Sequence, residues 1–176
     1  PSKRGDDMTE DELRTIVEVG HEMGVIESEE KEMINNVFDL GDSVATDIMV
    51  PRIDMTFINI NAGFDELLQV FREERYTRLP VYEETTDNVV GIINIKDMLL
   101  IEDREHFSIA DHLRQPLYTF ESKKLSELMV EMRQTSNNIV IVLDEYGATA
   151  GLITLEDILE EIVGDIRDEY DEDEED

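Results

Sequence analysis

Thr154 and Asp157 stand three residues apart where an apolar run, Gly151-Leu152-Ile153, gives way to a helix-forming one. Two chemistries fit that spacing. Thr-x-x-Asp is close to a capping box, in which hydroxyl and carboxylate each accept a backbone N–H at a helix start. The same helix N-terminus, through its unpaired N–H groups and dipole, attracts phosphate oxygens. A carboxylate one turn inward can accept hydrogen bonds from both hydroxyls of a ribose, and phosphate with ribose would suit a nucleotide. A second constellation, Arg75-Tyr76-Thr77-Arg78-Leu79-Pro80-Val81-Tyr82, leads into a strand. Tyr76 can pack against a base, Thr77 can hydrogen-bond its edge or a phosphate, and the planar fork of Arg78 can pair with phosphate. The same arginines can equally serve as partners for carboxylates on a very acidic surface.

Short strands alternating with short helices must position these groups. The pattern predicts a strand at Thr56–Ile60, a helix at Phe64–Glu74, strands at Leu79–Tyr82 and Val89–Asn94, and a helix from Ile95 to about Leu100. The order recurs: a strand at Leu117–Phe120, a helix at Leu125–Thr135, strands at Ile139–Leu143 and Ala150–Ile153, and a helix at Leu155–Val163. Gly91-Ile92-Ile93-Asn94-Ile95-Lys96-Asp97 matches Gly151-Leu152-Ile153-Thr154-Leu155-Glu156-Asp157 at an offset of 60. Two copies are too few for a solenoid. They fit a pseudo-twofold pair in which each half covers the other's apolar face. The halves are unequal: Asn94 replaces the threonine, and Asn137-Asn138-Ile139-Val140 stands where the first half has its arginines.

A helical hairpin precedes the repeat. Thr9-Glu10-Asp11-Glu12 fits a capping box, Gly24 a stop, Ser28 a second cap and Gly41 a second stop. The hairpin either packs on the rest of the fold or connects it to a neighbouring domain.

Composition removes several function classes. Lys+Arg is 15 and Asp+Glu 45, a net charge of −30. That field repels phosphate backbones, and no basic run exceeds Lys123-Lys124, so no nucleic-acid partner is expected. With no cysteine, disulfides, thiolate metal sites and thiol catalysis are out. His21, His106 and His112 are scattered without metal-ligand spacing, and there is no P-loop, so neither a catalytic nor a metal site is expected. No apolar stretch nears the roughly 18 residues of a membrane span. Pro1 rather than Met comes first, as in a piece excised from a longer chain. The final six residues are all acidic and read as a solvated tail.

The repeat and the two constellations together resemble a tandem pair of cystathionine-β-synthase-type (CBS) domains, a Bateman module. Gly151–Asp157 carries its Gly-h-h-Thr-x-x-Asp signature and Gly91–Asp97 a degenerate copy. Further segments resemble the CorC/HlyC-type bacterial magnesium and cobalt efflux proteins, labelled hemolysin-like and related to the animal CNNM transporters. These segments are Asp47-Ile48-Met49-Val50-Pro51-Arg52, Arg75–Tyr82, Asp144-Glu145-Tyr146-Gly147, Glu160–Ile166 and the hairpin's Glu29–Ile34. The resemblance runs from about Thr9 to Tyr170.

The resemblance implies an α/β (α+β) fold of two β-α-β-β-α CBS domains. Residues 1–41 would form the hairpin, 42–105 the first CBS domain, 106–168 the second and 169–176 the acidic tail. It also implies a homodimer on the cytoplasmic face of the cell membrane, joined to a membrane domain. An adenine nucleotide, ATP with Mg²⁺ or AMP, would bind between the CBS domains and be coupled to transport. By position the site would use Val50, Pro51, Tyr76, Thr77, Arg78, Thr154 and Asp157, with Asn94 and Asp97 lining a weaker pseudo-symmetric site. Met49 would suit an apolar wall for adenine. Arg75 and Arg78 would supply a local positive field, and Mg²⁺ would lower the ligand's charge against so acidic a protein.

Overall fold

The structure is a computed structural model that describes residues 8–164; the expected acidic tail at 169–176 lies outside the described residues. The hairpin is formed by α1 (Glu10–Glu22) and α2 (Ser28–Gly41). At its start the Thr9 hydroxyl accepts the Glu12 N–H and the Glu12 carboxylate accepts the Thr9 N–H, the expected capping box. The second cap differs from expectation. Glu27 is the N-cap and Ser28 the first helical residue, because the Glu30 carboxylate reaches back to the Glu27 N–H at 3.3 Å.

A short helix α3 (Ala45–Ile48) leads into β1 (Val50–Pro51) and a 3₁₀ turn at Arg52–Asp54, none of which the periodicity marked. The first half then runs β2 (Ile58–Asn59), α4 (Phe64–Glu74), β3 (Arg78–Glu83), β4 (Thr85–Asn94) and α5 (Ile95–Met98). The second repeats it as β5 (Leu117–Phe120), α6 (Leu125–Thr135), β6 (Ile139–Leu143), β7 (Thr149–Thr154) and α7 (Leu155–Val163), after a 3₁₀ turn at Ile109–His112. The β-α-β-β-α order expected of each half is therefore present. β2 is shorter than the expected Thr56–Ile60, because only Ile58 and Asn59 pair, in parallel, with Val81 and Tyr82.

Within each half, two strands pair in parallel across the helix and the next pairs antiparallel: β2-β3-β4 in one sheet, β5-β6-β7 in the other. α4 buries Phe64, Leu67 and Phe71, and α6 buries Leu125, Leu128 and Met132, one apolar stripe each at helical spacing. β6, central in its sheet, is apolar throughout and buried from Ile139 to Val142, as a strand covered on both faces must be. Val89 and Ile92 of β4 meet Ile139 and Ile141 of β6 in a third apolar cluster, which joins the two halves.

The second sheet has a fourth strand, β1, whose Val50 and Pro51 pair antiparallel with Leu152 and Gly151. The segment leading into the first half thus completes the sheet of the second. The relation is reciprocal in miniature: Arg114, on the way into β5, exchanges both backbone hydrogen bonds with Ile92 of β4, at 2.8 and 2.9 Å. A Cβ on Gly151 would lie 2.7 Å from the Val50 carbonyl oxygen and 2.5 Å from Met49 Sδ. Gly151→Ala should therefore lower stability by about 1–3 kcal/mol, read from urea unfolding. Gly41→Ala, at a helical position open to solvent, should leave stability unchanged or raise it by about 0.5–1 kcal/mol.

Candidate functional site

β7 ends at Thr154 and α7 begins at Leu155, so the signature residues sit at a strand-to-helix junction. The Thr154 hydroxyl accepts the Asp157 N–H, and Asp157 Oδ2 accepts the Thr154 N–H, both at 3.1 Å. The capping box is thus formed in full, and it holds the Asp157 side chain rigidly over the first turn. The junction is also tied to the strand beside it, since the Leu155 N–H donates to the Asn138 carbonyl at 2.9 Å. The first half repeats this tie between Ile95 and the Thr77 carbonyl, at 2.8 Å.

On the facing half, α4 ends with Arg75 in the left-handed conformation (φ 57°), which turns the chain sharply into Tyr76, Thr77 and Arg78 before β3. A cavity of about 400 Å³ lies between these segments. Arg75, Tyr76, Thr77 and Arg78 line it from the first half, and Thr154, Glu156 and Asp157 from the second. Val50, Asp54, Met55 and Thr56 line it as well, and Leu79, Pro80, Ile139 and Leu152 add apolar surface.

Six of the seven residues expected at the principal site therefore line one cavity: Val50, Tyr76, Thr77, Arg78, Thr154 and Asp157. Pro51 is apart from them, its exposed ring next along β1 and its backbone opposite Gly151. Met49 also departs from expectation: it packs over Gly151 against the second core, and Met55 stands in the cavity wall instead. Periodicity missed Glu156. Its carboxylate receives Arg78 Nη2 at 3.1 Å on both oxygens, and the Arg78 side chain is 20% exposed against 68% for Glu156. The one signal for it was its place next to Asp157.

Asn94 and Asp97 occupy the equivalent junction between β4 and α5, where Asn94 Oδ1 accepts the Lys96 N–H at 3.0 Å. Asp97 makes no cap. It binds Arg114, Nη2 to Oδ1 at 2.7 Å and Nε to Oδ2 at 3.2 Å, and this carboxylate raises the Arg114 pKa above its ordinary value. A second cavity of about 450 Å³ shares Val50 and Asp157 with the first and opens toward α2. Glu32, Asp157, Glu160 and Glu161 line it with no basic residue, so it is more negative than the first, where Arg75 and Arg78 offset part of the charge of Asp54, Glu156 and Asp157.

A sheet-helix repeat of this order, with a cavity between its halves, defines a tandem two-domain module. The family pattern described as CBS domain matches residues 44–102 and again 109–164, and the chain belongs to that family. Among its relatives is the magnesium and cobalt efflux protein CorC of Escherichia coli K12, 38% identical over 170 residues; the match covers 96% of this chain and 58% of CorC. Among solved structures, the CBS domain of a bacterial CNNM/CorC-family Mg²⁺ transporter superposes with a TM-score of 0.84 at 38% identity, covering 90% of this chain and 98% of that one. The ATP complex of a bacterial CNNM/CorC-family CBS domain matches at a TM-score of 0.73 and 40% identity, over 77% of this chain and 98% of that one. The chain is thus a tandem CBS pair of CorC type, spanning about three fifths of CorC itself. No helix among the described residues is long and apolar enough to cross a membrane.

The cap at Thr154 stabilises the fold apart from any ligand. Thr154→Ala should cost about 1 kcal/mol in urea unfolding without ligand, while Thr154→Ser should leave stability nearly unchanged.

Proposed function

We propose that this chain is the regulatory module of a membrane Mg²⁺/Co²⁺ efflux-type protein, and that it binds ATP with Mg²⁺ in the cavity between its CBS domains. The observation that carries the reading is the convergence of Arg78 and Tyr76 from one half with Thr154 and Asp157 from the other around about 400 Å³. The ATP complex of a 40% identical CBS domain supports it. Adenine would lie against the apolar lining of Leu79, Pro80, Ile139 and Leu152, with Tyr76 in the same cavity. Asp157 keeps Oδ1 outside the capping box for a ribose hydroxyl. Arg78 and the start of α7, a nine-residue helix, would receive phosphate. These are binding roles; the reading is of a sensor, not an enzyme.

Glu156 supplies a physical reason for Mg²⁺. A triphosphate reaching Arg78 must displace or neighbour the Glu156 carboxylate, and a divalent cation on the phosphates turns that repulsion into attraction. We place the site on the cytoplasmic side, coupled through the hairpin to a membrane domain; a relative that is the CBS domain of a Mg²⁺ transporter supports this reading. The hairpin touches the site's own helix: the Asn36 amide donates to the Ile162 carbonyl of α7 at 3.1 Å. A homodimer fits the exposed apolar residues Leu99 and Leu100 after α5, and Leu155, Leu159 and Val163 along one side of α7.

Calorimetric titration tests the nucleotide reading. ATP with Mg²⁺ should bind, and Asp157→Ala should abolish binding. Arg78→Ala should weaken it roughly 10- to 100-fold, the scale of a hydrogen bond to a charged group. Glu156→Gln should narrow the difference between titrations in Mg²⁺ and in EDTA. Ligand at 100 times Kd should add about 2.7 kcal/mol of stability. Absence of binding by any adenine nucleotide would favour the second reading, a dimerisation or connector module in which Thr154 and Asp157 act only as a cap. Sedimentation should show a dimer that Leu159→Asp converts to monomer.

A further inference from the structure

Part of the cavity lining comes from a stretch with little anchorage in the cores. Val50, Asp54, Met55 and Thr56 line the cavity, yet no residue between Ala45 and Ile58 is fully buried. Met55 and Phe57 only edge against the third apolar cluster. The stretch is held on one side by the two residues of β1 paired with β7. Past β1 the chain makes one turn, closed by the Met55 N–H donating to the Arg52 carbonyl at 3.1 Å. Arg52 is the only basic residue from 32 to 71. It is outside the cavity lining, and its guanidinium reaches the first sheet instead. Nε and Nη2 donate to the Thr86 hydroxyl at 3.2 and 2.7 Å, and Nη1 pairs with the Asp87 carboxylate. Asp87 is itself held from the second sheet. Its carbonyl accepts the hydroxyl of Thr149, which is 2% exposed, at 3.1 Å.

We propose that Arg52 is a positioning residue for the ligand cavity: its fork on Thr86 and Asp87 sets where Asp54, Met55 and Thr56 stand, so that affinity depends on a side chain outside the cavity. This rests on reading the cavity as the nucleotide site. The planar guanidinium suits the task, because one rigid group meets a hydroxyl and a carboxylate on adjacent residues. A lysine would bring the same charge with all its donors on a single nitrogen. Three nitrogens on two residues fix orientation as well as distance, which a lone exposed ion pair does not. With β1 paired to β7 and Arg52 fastened to β4, the turn at Arg52–Asp54 is clamped between the two sheets. The cavity lining resumes within that turn, at Asp54. A shift of the clamp is therefore passed on to the cavity without any intervening loop.

The test is calorimetric titration of the 176-residue chain with ATP–Mg²⁺, together with amide hydrogen exchange of the ligand-free chain. Arg52→Lys and Thr86→Val should each weaken binding roughly 2- to 30-fold, the range for residues that act on a site without contacting its ligand. Thr86→Ser, which keeps the hydroxyl, should bind as the wild type does. Arg52→Lys/Thr86→Val should lose less than the product of the two single effects, because both changes break the same contact. Ile109→Val, in the core of the first half, should lower stability and leave affinity unchanged. In the exchange experiment, Arg52→Lys and Thr86→Val should speed the Met55 amide and leave the Asp157 amide as in the wild type. A role through charge alone would leave Arg52→Lys and Thr86→Val at wild-type affinity. Wild-type affinity in either variant, a Thr86→Ser chain as weak as Thr86→Val, an equal loss in Ile109→Val, or unchanged Met55 exchange would overturn the inference. Should the wild type not bind ATP–Mg²⁺, the nucleotide reading fails and exchange decides: a faster Met55 amide in both variants supports the positioning, and an unchanged one overturns it. Should Arg52→Lys not fold, Thr86→Val against Thr86→Ser carries the same readouts with the same outcomes.

Discussion

At Gly151 the backbone of β7 lies so close to the Met49–Val50 segment that there is no room for a side chain: a Cβ would come within 2.7 Å of the Val50 carbonyl oxygen. The approach lets β1 add to the second sheet and brings Val50 beside Asp157. The chain that goes on to build the first half is thereby fastened to the second. Arg52, the next residue after β1, extends the fastening by donating to the Thr86 hydroxyl at 2.7 Å and pairing with the Asp87 carboxylate of β4. Thr149 of β7 donates to the Asp87 carbonyl at 3.1 Å. Three chain segments distant in sequence are so held around one cavity, whose walls come from both halves.

Electrostatics then decides which side of this assembly can meet an anion. A chain with a net charge of −30 repels nucleotides at long range, although salt screens that field beyond roughly 8 Å. Arg75 and Arg78 stand in the first cavity and offset part of the charge of Asp54, Glu156 and Asp157, while its neighbour toward α2 is lined with glutamates and no basic residue. Arg78 is not idle in the structure. Glu156 holds it across the boundary between the halves, so the arginine bridges the two domains at the edge of the cavity. The two halves handle their equivalent carboxylates in opposite ways. Asp157 is oriented by a helix cap and Asp97 is neutralised by Arg114, and a pseudo-symmetric scaffold becomes asymmetric in chemistry.

Much of this was legible in the residues because it depends on local periodicity. The bounds of α4, α6, α7, β5 and β6 follow from apolar stripes at helical spacing and from short apolar runs between turns. The repeat at offset 60 brought out both junctions, and the capping box at Thr154 could be read from two residue types three positions apart. Strand β1 could not be read that way. It has two residues, no alternation, and a partner about 100 positions later, so nothing near it in sequence signals its pairing. Met49 shows the same limit, since its adjacency to Val50 suggested the cavity and its side chain went to the core.

The amino-acid sequence by itself determined the alternation of elements, the doubled architecture and the residue types available at each strand-to-helix junction, because these are encoded within a few residues of one another. Only the tertiary structure decided which groups face each other. Arg78 meets Glu156 from 78 positions away, and Arg114 reaches Asp97 across 17. Such partnerships are set by where backbone segments cross, and a charged side chain in so acidic a chain has many equally plausible carboxylates until the packing of the two halves selects one.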